Sequence, residues 1–443
     1  MYWYISFLRP PPVSTSNTDQ RITITPQVAN DLRTELRYEP TTIYYTWQRV
    51  IPSISIATTL QELTTFIPPG STYKPLDVPL PKNVQVGESW RLGLFSHNEN
   101  PHSSNGLLSG EERKWKLEPT NELLDLIDDT PDVLGVWSEG IEIARAVSGL
   151  NSGTIRGLGR QKEPSIDKGK SKGKSKGKEK EKERDDRPKQ GRIMREWALP
   201  EEGTLRIIEQ TSFDLDKKVW DSGLALSAWF WKHLANEGSL PLTGQKIFTL
   251  LKRQEKLRIV ELGTGTGLVS IVLSLALKRI ASLERKITAT DLESAIPLMD
   301  ENIALNNLNS QMNHISTDHE NEQGEQSKGT LVDARVLDWD QPIPAWVNND
   351  HPELVIAADV TYNTSAFPSL LSTLTSLLLP SASSASLPNR PLLVLAYKER
   401  DPAERELWGM LKEKGIDMVM VDEIKGAEDY GSTEIWIGGS SLS

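Results

Sequence analysis

From residue 257 onward, short apolar blocks alternate with longer amphipathic ones. The short blocks, 257–262, 286–290, 334–337, 353–357 and 392–396, are rich in Ile, Val, Leu and Ala, which predicts parallel strands buried on both faces. The longer blocks, 268–279, 294–306, 367–378 and 402–414, space their apolar residues at helical intervals and predict crossover helices. Such alternation implies an α/β, doubly wound, mostly parallel sheet. Residues 417–421 and 433–437 are joined by a glycine-containing loop without a helix, predicting an antiparallel hairpin at one edge. Upstream, 222–234 reads as a helix against the sheet. Residues 196–199 and 204–209, separated by Pro200-Glu201-Glu202-Gly203, read as a β-hairpin. Residues 309–329 are polar and read as a loop.

The first 150 residues lack this regularity. Stretches at 3–8, 21–25, 42–48 and within 133–146 have strand character, broken by Pro and Ser clusters, and 121–128 reads as a short helix. Residues 1–150 are therefore expected to be an irregular, β-leaning accessory region. Residues 151–194 change composition again, to a Lys/Gly/Ser-rich tract. Within it, 161–192 holds thirteen Lys and Arg against seven Asp and Glu, with almost no apolar side chains to offset ordering entropy. A disordered linker is expected there, acting as a solvated spacer or as a polyanion-binding or nuclear-targeting tract. The alternating pattern then defines a domain at 195–443.

Composition narrows the chemistry. The net charge of −11 argues against general nucleic-acid binding by the folded part. There are no cysteines, which removes disulfides and Cys-based zinc sites. The six histidines are scattered without metal-ligand spacing, so no metal site is expected. The apolar start, Met1 to Leu8, is too short for a signal peptide and reads as a strand, and no run approaches a membrane helix in length.

The chemistry centres on Glu261-Leu262-Gly263-Thr264-Gly265-Thr266-Gly267-Leu268, a buried strand turning through glycines into a helix. A nicotinamide fingerprint would need glycine at the sixth position from Gly263, where Leu268 stands, and the Gly-Lys-Ser/Thr of a phosphate loop is absent. The turn and its preceding acid fit S-adenosylmethionine better. Amide groups at the helix start can meet the ligand's carboxylate, and Glu261 can organise its ammonium side. The second strand ends in Asp291, placed to accept ribose hydroxyls. The third is followed by Trp339, placed to cover an adenine face. The fourth leads into Ala358-Asp359-Val360-Thr361-Tyr362, where a transferred methyl would emerge.

From about 206 to 437 these motifs resemble the seven-β-strand (class I) methyltransferases. Within them they resemble the non-histone protein-lysine methyltransferases, whose known members modify elongation factors, chaperones and valosin-containing protein. The residues carrying the resemblance are 219–223, 261–267, Ala289-Thr290-Asp291-Leu292-Glu293, 336–339, Asp359 to Tyr362 as the group's Asp-x-x-Tyr motif, and Ala396-Tyr397-Lys398-Glu399-Arg400. The resemblance implies a Rossmann-like fold with S-adenosylmethionine as cofactor. It implies that Trp220, Gly263, Thr264 and Gly265 line the cofactor pocket, with Asp291 at the ribose and Trp339 at the adenine. Ala358 would form the floor, with Asp359 and Tyr362 at the methyl-transfer end. The first 190 residues have no counterpart in the compact pattern. The Asn/Asp-Pro-Pro-Tyr of amide and adenine methyltransferases is replaced here by Asp-Val-Thr-Tyr, which disfavours those targets.

The reaction expected is direct in-line transfer to a lysine of a partner protein such as a translation factor, chaperone or AAA ATPase. No membrane partner is expected, and nucleic acid only through the Lys-rich tract. The expected location is cytoplasmic, with the nucleus as a second compartment. Two other readings stay open: a methyltransferase on RNA or a small molecule, and a non-catalytic interaction module on the same fold.

Overall fold

The computed structural model describes residues 2–96, 121–122, 133–146, 187–199, 203–211, 214–253, 255–280, 285–308, 330–349, 351–379, 390–426 and 431–440. The expected linker lies outside the described residues as far as 186, as do the polar stretch 309–329 and most of the helix expected at 121–128.

Among the described residues ten strands precede the linker: β1 (Tyr4–Arg9), β2 (Ser14–Ser16), β3 (Arg21–Ala29), β4 (Thr41–Ile51), β5 (Gln61–Phe66), β6 (Leu76–Pro79), β7 (Ser89–Ser96), β8 (Asn121–Glu122), β9 (Val136–Ser138) and β10 (Ile141–Ala144). They form regular ladders where irregular chain was expected. β1, β3 and β6 make a three-stranded sheet, and the others join a nine-stranded one. The reason is visible in β4, where Ile43, Tyr45 and Trp47 alternate inward and pack with Ile5, Ile24 and Leu92 in a core of their own. Asn121 and Glu122 form a short strand paired with Trp197 and Ala198, not the start of a helix.

The expected hairpin is present as β11 (Arg192–Leu199) and β12 (Gly203–Gln210), paired from Arg192↔Gln210 to Leu199↔Gly203. It belongs to the N-terminal sheet, however, through Ile193↔Ser138 and Met194↔Trp137. The boundary between sheets therefore falls after Gln210, while the boundary expected at 194/195 lies inside β11. Local alternation identifies a hairpin but carries no information about which distant strand its edge will join.

Downstream run α1 (Asp221–Ala235), α2 (Leu242–Lys252), β13 (Leu257–Leu262), α3 (Leu268–Lys278), β14 (Arg285–Asp291), α4 (Ile296–Leu305), β15 (Thr330–Val336) and α5 (Ala345–Asn349). β16 (Leu354–Ala358), α6 (Phe367–Leu378), β17 (Leu392–Tyr397), α7 (Glu406–Glu413), β18 (Asp417–Lys425) and β19 (Ser432–Gly439) complete the order. The α2 helix was not anticipated. Its buried apolar residues, Ile247, Phe248 and Leu251, span little more than one turn, too short a stripe to set a period. The seven strands are ordered β15-β14-β13-β16-β17-β19-β18. β13 to β17 are parallel to their neighbours, and β19 inserts antiparallel between β17 and β18, giving the expected edge hairpin. This is a Rossmann-like α/β fold. Ile259 and Ile356 face the layer containing α1 and α3, while Val260 and Val355 face the layer containing α6 and α7. Both sheet faces are covered, as the unbroken apolar strands require.

Besides that N-terminal core, one apolar cluster is shared between the N-terminal sheets and the seven-stranded sheet. Tyr2, Tyr4, Trp197 and Leu205 pack in the same apolar cluster as Trp229 and Val269. Two asparagines, Asn302 in α4 and Asn306 at its C-terminal cap, seal the seam. The Ile208 amide donates to Asn302 Oδ1 at 2.8 Å, and Asn306 Nδ2 donates to the Arg206 carbonyl at 2.7 Å.

Candidate active site

Strand order reverses between β13 and β16, because β14 and β15 lie to one side and β16 and β17 to the other. Loops leaving such a point diverge and open a crevice at the carboxyl ends of the strands. A cavity of about 310 Å³ occupies that position. All ten residues singled out from the sequence line it: Trp220, Glu261, Gly263, Thr264, Gly265, Asp291, Trp339, Ala358, Asp359 and Tyr362.

The glycine turn needs its glycines. Gly263 and Gly265 both have φ 60°, and Gly267 has φ 89°, a left-handed region that penalises a Cβ. At Gly263 a Cβ would also stand 2.9 Å from Val360. Thr264 locks the turn to β14. Its amide donates to the Thr290 carbonyl at 3.0 Å, and its hydroxyl accepts from the Thr290 amide at 3.0 Å. Asp291 completes the lock, accepting from the Gly265 amide at 2.8 Å and the Leu292 amide at 2.7 Å. Burial raises its pKa despite those two bonds.

Glu261 is buried under the turn, where its carboxyl accepts from the Ser270 hydroxyl. Desolvation pushes its pKa up to about 8, with the Asp291 charge adding to the effect and the Ser270 hydrogen bonds only partly opposing it. The neutral acid is thus favoured in the folded chain relative to the ordinary 4.5. Its contribution to stability is full below 4.5 and lost as pH rises through about 8. Glu261→Gln is expected to remove a stability slope of about 1.4 kcal/mol per pH unit within that window, read from urea midpoints across the series. An unchanged slope would place the buried charge elsewhere.

Also on the wall, Asp359 has φ 58°, a conformation that aspartate tolerates better than most side chains. Its Oδ1 accepts from Arg400 Nε at 3.3 Å and its Oδ2 from Arg400 Nη2 at 2.5 Å. Burial still raises its pKa, outweighing the Arg400 guanidinium. Tyr362 is 56% exposed at the cavity mouth. Trp339 stands over Gly263, and Trp220 is fixed by its indole N–H to the Leu215 carbonyl at 2.9 Å.

Several lining residues were not anticipated. Asp216, Asp338 and Asp340 bring the carboxyl groups on the wall to six, against two cations, Lys218 and Arg400. Arg400 lies within the quoted 396–400 stretch just past β17, so its position at a strand end was a usable signal. Leu32 lines the wall from the N-terminal region, and nothing local in its sequence marks it.

The arrangement fits S-adenosylmethionine, whose sulfonium and ammonium are both cationic and would meet an acidic wall. Left-handed glycines leave backbone bare on one side, with indole faces available on others. Among the described residues no group of acids and histidines could hold a metal ion.

Comparison with known proteins agrees. Residues 200–414 match a family model described as lysine methyltransferase. The chain is 27% identical over 221 residues to the protein-lysine N-methyltransferase EFM6 of Saccharomyces cerevisiae, covering 48% of this chain and 75% of that one. It is 23% identical over 355 residues to the same organism's protein-lysine N-methyltransferase EFM2, covering 76% and 74% respectively. It is 29% identical over 157 residues to the protein N-lysine methyltransferase METTL21A of Danio rerio, covering 35% and 52%. Over residues 200–414, just under half of its length, the chain is thus similar to the lysine methyltransferases, which marks it as an S-adenosylmethionine-dependent methyltransferase acting on protein lysine.

Proposed function

We propose that this chain methylates a lysine side chain of a partner protein and that the cavity at the carboxyl ends of β13, β14 and β16 is where transfer occurs. The observation carrying this reading is the wall of six carboxyl groups, Glu261 among them as the neutral acid, that includes Asp359 beside Tyr362. When bound, S-adenosylmethionine supplies an electrophilic methyl group on a positively charged sulfur. The lysine nitrogen forms the new bond in line as the carbon–sulfur bond breaks, and the sulfur keeps the electron pair. The proton lost from the lysine ammonium passes to water.

The chain's part is mainly positioning. Asp291 and the Gly263–Gly265 backbone hold the cofactor's ribose and amino-acid ends, with Glu261 beneath. Trp339 covers the adenine, Trp220 closes the near side, and Thr264 and Ala358 shape the floor. Asp359 attracts and aligns the incoming ammonium, and Tyr362 offers it a ring face. Deprotonating a free lysine at neutral pH costs about 4–5 kcal/mol. The half-buried Tyr362 rim and the sulfonium favour the neutral amine at the moment of transfer. Asp291→Ala is expected to weaken cofactor affinity about tenfold or more by calorimetry, and unchanged affinity would remove the ribose role.

The proposed target is a translation factor, chaperone or AAA ATPase. Residues 1–150 would act as an accessory region and the Lys-rich tract as a spacer. Cytoplasmic and nuclear pools are expected, to be followed by imaging a tagged chain with and without 161–192. The direct test is incubation of the purified chain with labelled S-adenosylmethionine and whole-cell extract, with mass spectrometry of the labelled species. Label on protein lysine supports the reading. Label confined to RNA or small molecules, or none at all, would overturn it.

A further inference from the structure

Behind Asp359 lies a buried array of charge drawn from both halves of the chain. Arg400 bridges two carboxylates, with Nη2 donating to Asp359 Oδ2 at 2.5 Å and to Asp31 Oδ2 at 2.9 Å. Asp31 stands in the turn after β3, and its side chain is fully buried. Its other close charges are Lys398 at 4.0 Å and, behind that, Asp221, which accepts from Lys398 Nζ at 2.6 Å.

The turn carrying Asp31 is closed on itself. Asn30 Oδ1 accepts from the Thr34 and Glu35 amides at 2.9 and 3.2 Å, and the Arg33 amide donates to the Asn30 carbonyl at 3.0 Å. The Leu32 amide donates to Asp31 Oδ1 at 2.9 Å, setting the carboxylate plane. The next side chain along, Leu32, is on the cavity wall and 41% exposed. A carboxylate held this rigidly fixes one end of the Arg400 fork, which leaves the other end with one place to put Asp359.

We propose that Asp31, from the N-terminal sheet region, is a positioning residue of the active site: it anchors Arg400, and through Arg400 it sets the orientation and charge state of Asp359. The N-terminal region is then part of the catalytic apparatus as well as an accessory to it. This inference rests on the transfer role given to Asp359 above. Among the described residues, the groups facing Asp359 are Arg400 directly, the Asp31 and Asp221 carboxylates behind it with Lys398 between those two, and the Glu404 carboxyl and Tyr362 hydroxyl, which also feel its charge. The Asp31 charge raises the Asp359 pKa, so neutralising Asp31 must lower it.

The test uses the full chain with Asp31→Asn, which keeps the shape and one acceptor for Arg400, and Asp31→Ala, which removes both. Carbon-13 carboxyl NMR follows the Asp359 titration, assigned by its loss in Asp359→Asn. Labelled S-adenosylmethionine with whole-cell extract gives turnover per folded molecule, and calorimetry gives cofactor affinity. In Asp31→Asn the Asp359 titration and the acid limb of the rate profile should both move to lower pH. In Asp31→Ala, turnover per folded molecule should fall about tenfold or more, with cofactor affinity retained. A merely structural Asp31 would lower the folded fraction and leave both titration and turnover per folded molecule unmoved, which would overturn the proposal. If the wild-type chain transfers no label, the transfer role fails. The NMR titration still decides the Asp31–Arg400–Asp359 coupling, since an unmoved titration overturns it and a shifted one supports it. If Asp31→Ala does not fold, the isosteric variant decides alone.

Discussion

Asp359→Asn is expected to abolish methyl transfer, with turnover down at least ~100-fold, while cofactor affinity stays within about twofold of wild type. Asparagine tolerates the left-handed backbone at this position, so the variant tests charge and not strain. Arg400 keeps its second carboxylate, Asp31, and the buried array is not left with an orphaned cation. Asp291 and the Gly265 amide are held by each other and not by Asp359, which is why binding should survive. Radiolabel transfer and calorimetry on the same preparation check both halves. Wild-type-like turnover would remove Asp359 from the transfer step.

The largest loss of stability is expected from Asp221→Ala. This carboxylate is fully buried and accepts from three directions: the Tyr4 hydroxyl at 2.7 Å, the Tyr2 amide at 3.1 Å and Lys398 Nζ at 2.6 Å. Removing it strips the nearest counter-charge from a buried lysine and takes this acceptor from two N-terminal donors. Breaking one side of a buried pair costs about 3–5 kcal/mol. Urea denaturation should show that loss, and Asp221→Ala/Lys398→Met should recover part of it. A loss below ~1 kcal/mol would mean that water replaces the carboxylate at this seam. The same bonds tie Tyr2 and Tyr4 to the first turn of α1, so the variant should also loosen the N-terminal sheet region from the catalytic domain.

Much of the site was legible because each contributor sits at the end of a strand or just past it. Strand ends are marked by the change from apolar to polar, and the parallel arrangement brings those ends to one edge. Glu261, Asp291, Trp339 and Asp359 could therefore be placed together from their order alone, and the cavity contains all four. What their side chains touch was not legible. Asp291 is held by the Gly265 amide, and Asp359 faces Arg400 across 41 residues of chain. The hairpin 192–210 was recognisable, but its partner strand was not, because edge pairing depends on Ser138 and Trp137, 55 and 57 positions before Ile193 and Met194.

Apolar periodicity by itself determined the doubly wound sheet, and the glycine turn read together with Asp291, Trp339 and the motif resemblance determined the cofactor class. Those features are local: buried parallel strands must be apolar on both faces, and a tight turn before a helix must be glycine. Only the tertiary structure decided that the N-terminal region shares a core with the catalytic domain and sends Asp31 and Leu32 to its cavity. Asp31 lies 369 positions from Arg400, and a contact over that separation leaves no trace in either local pattern. It exists because two buried carboxylates on different elements need the same cation, and only folding brings them within its reach.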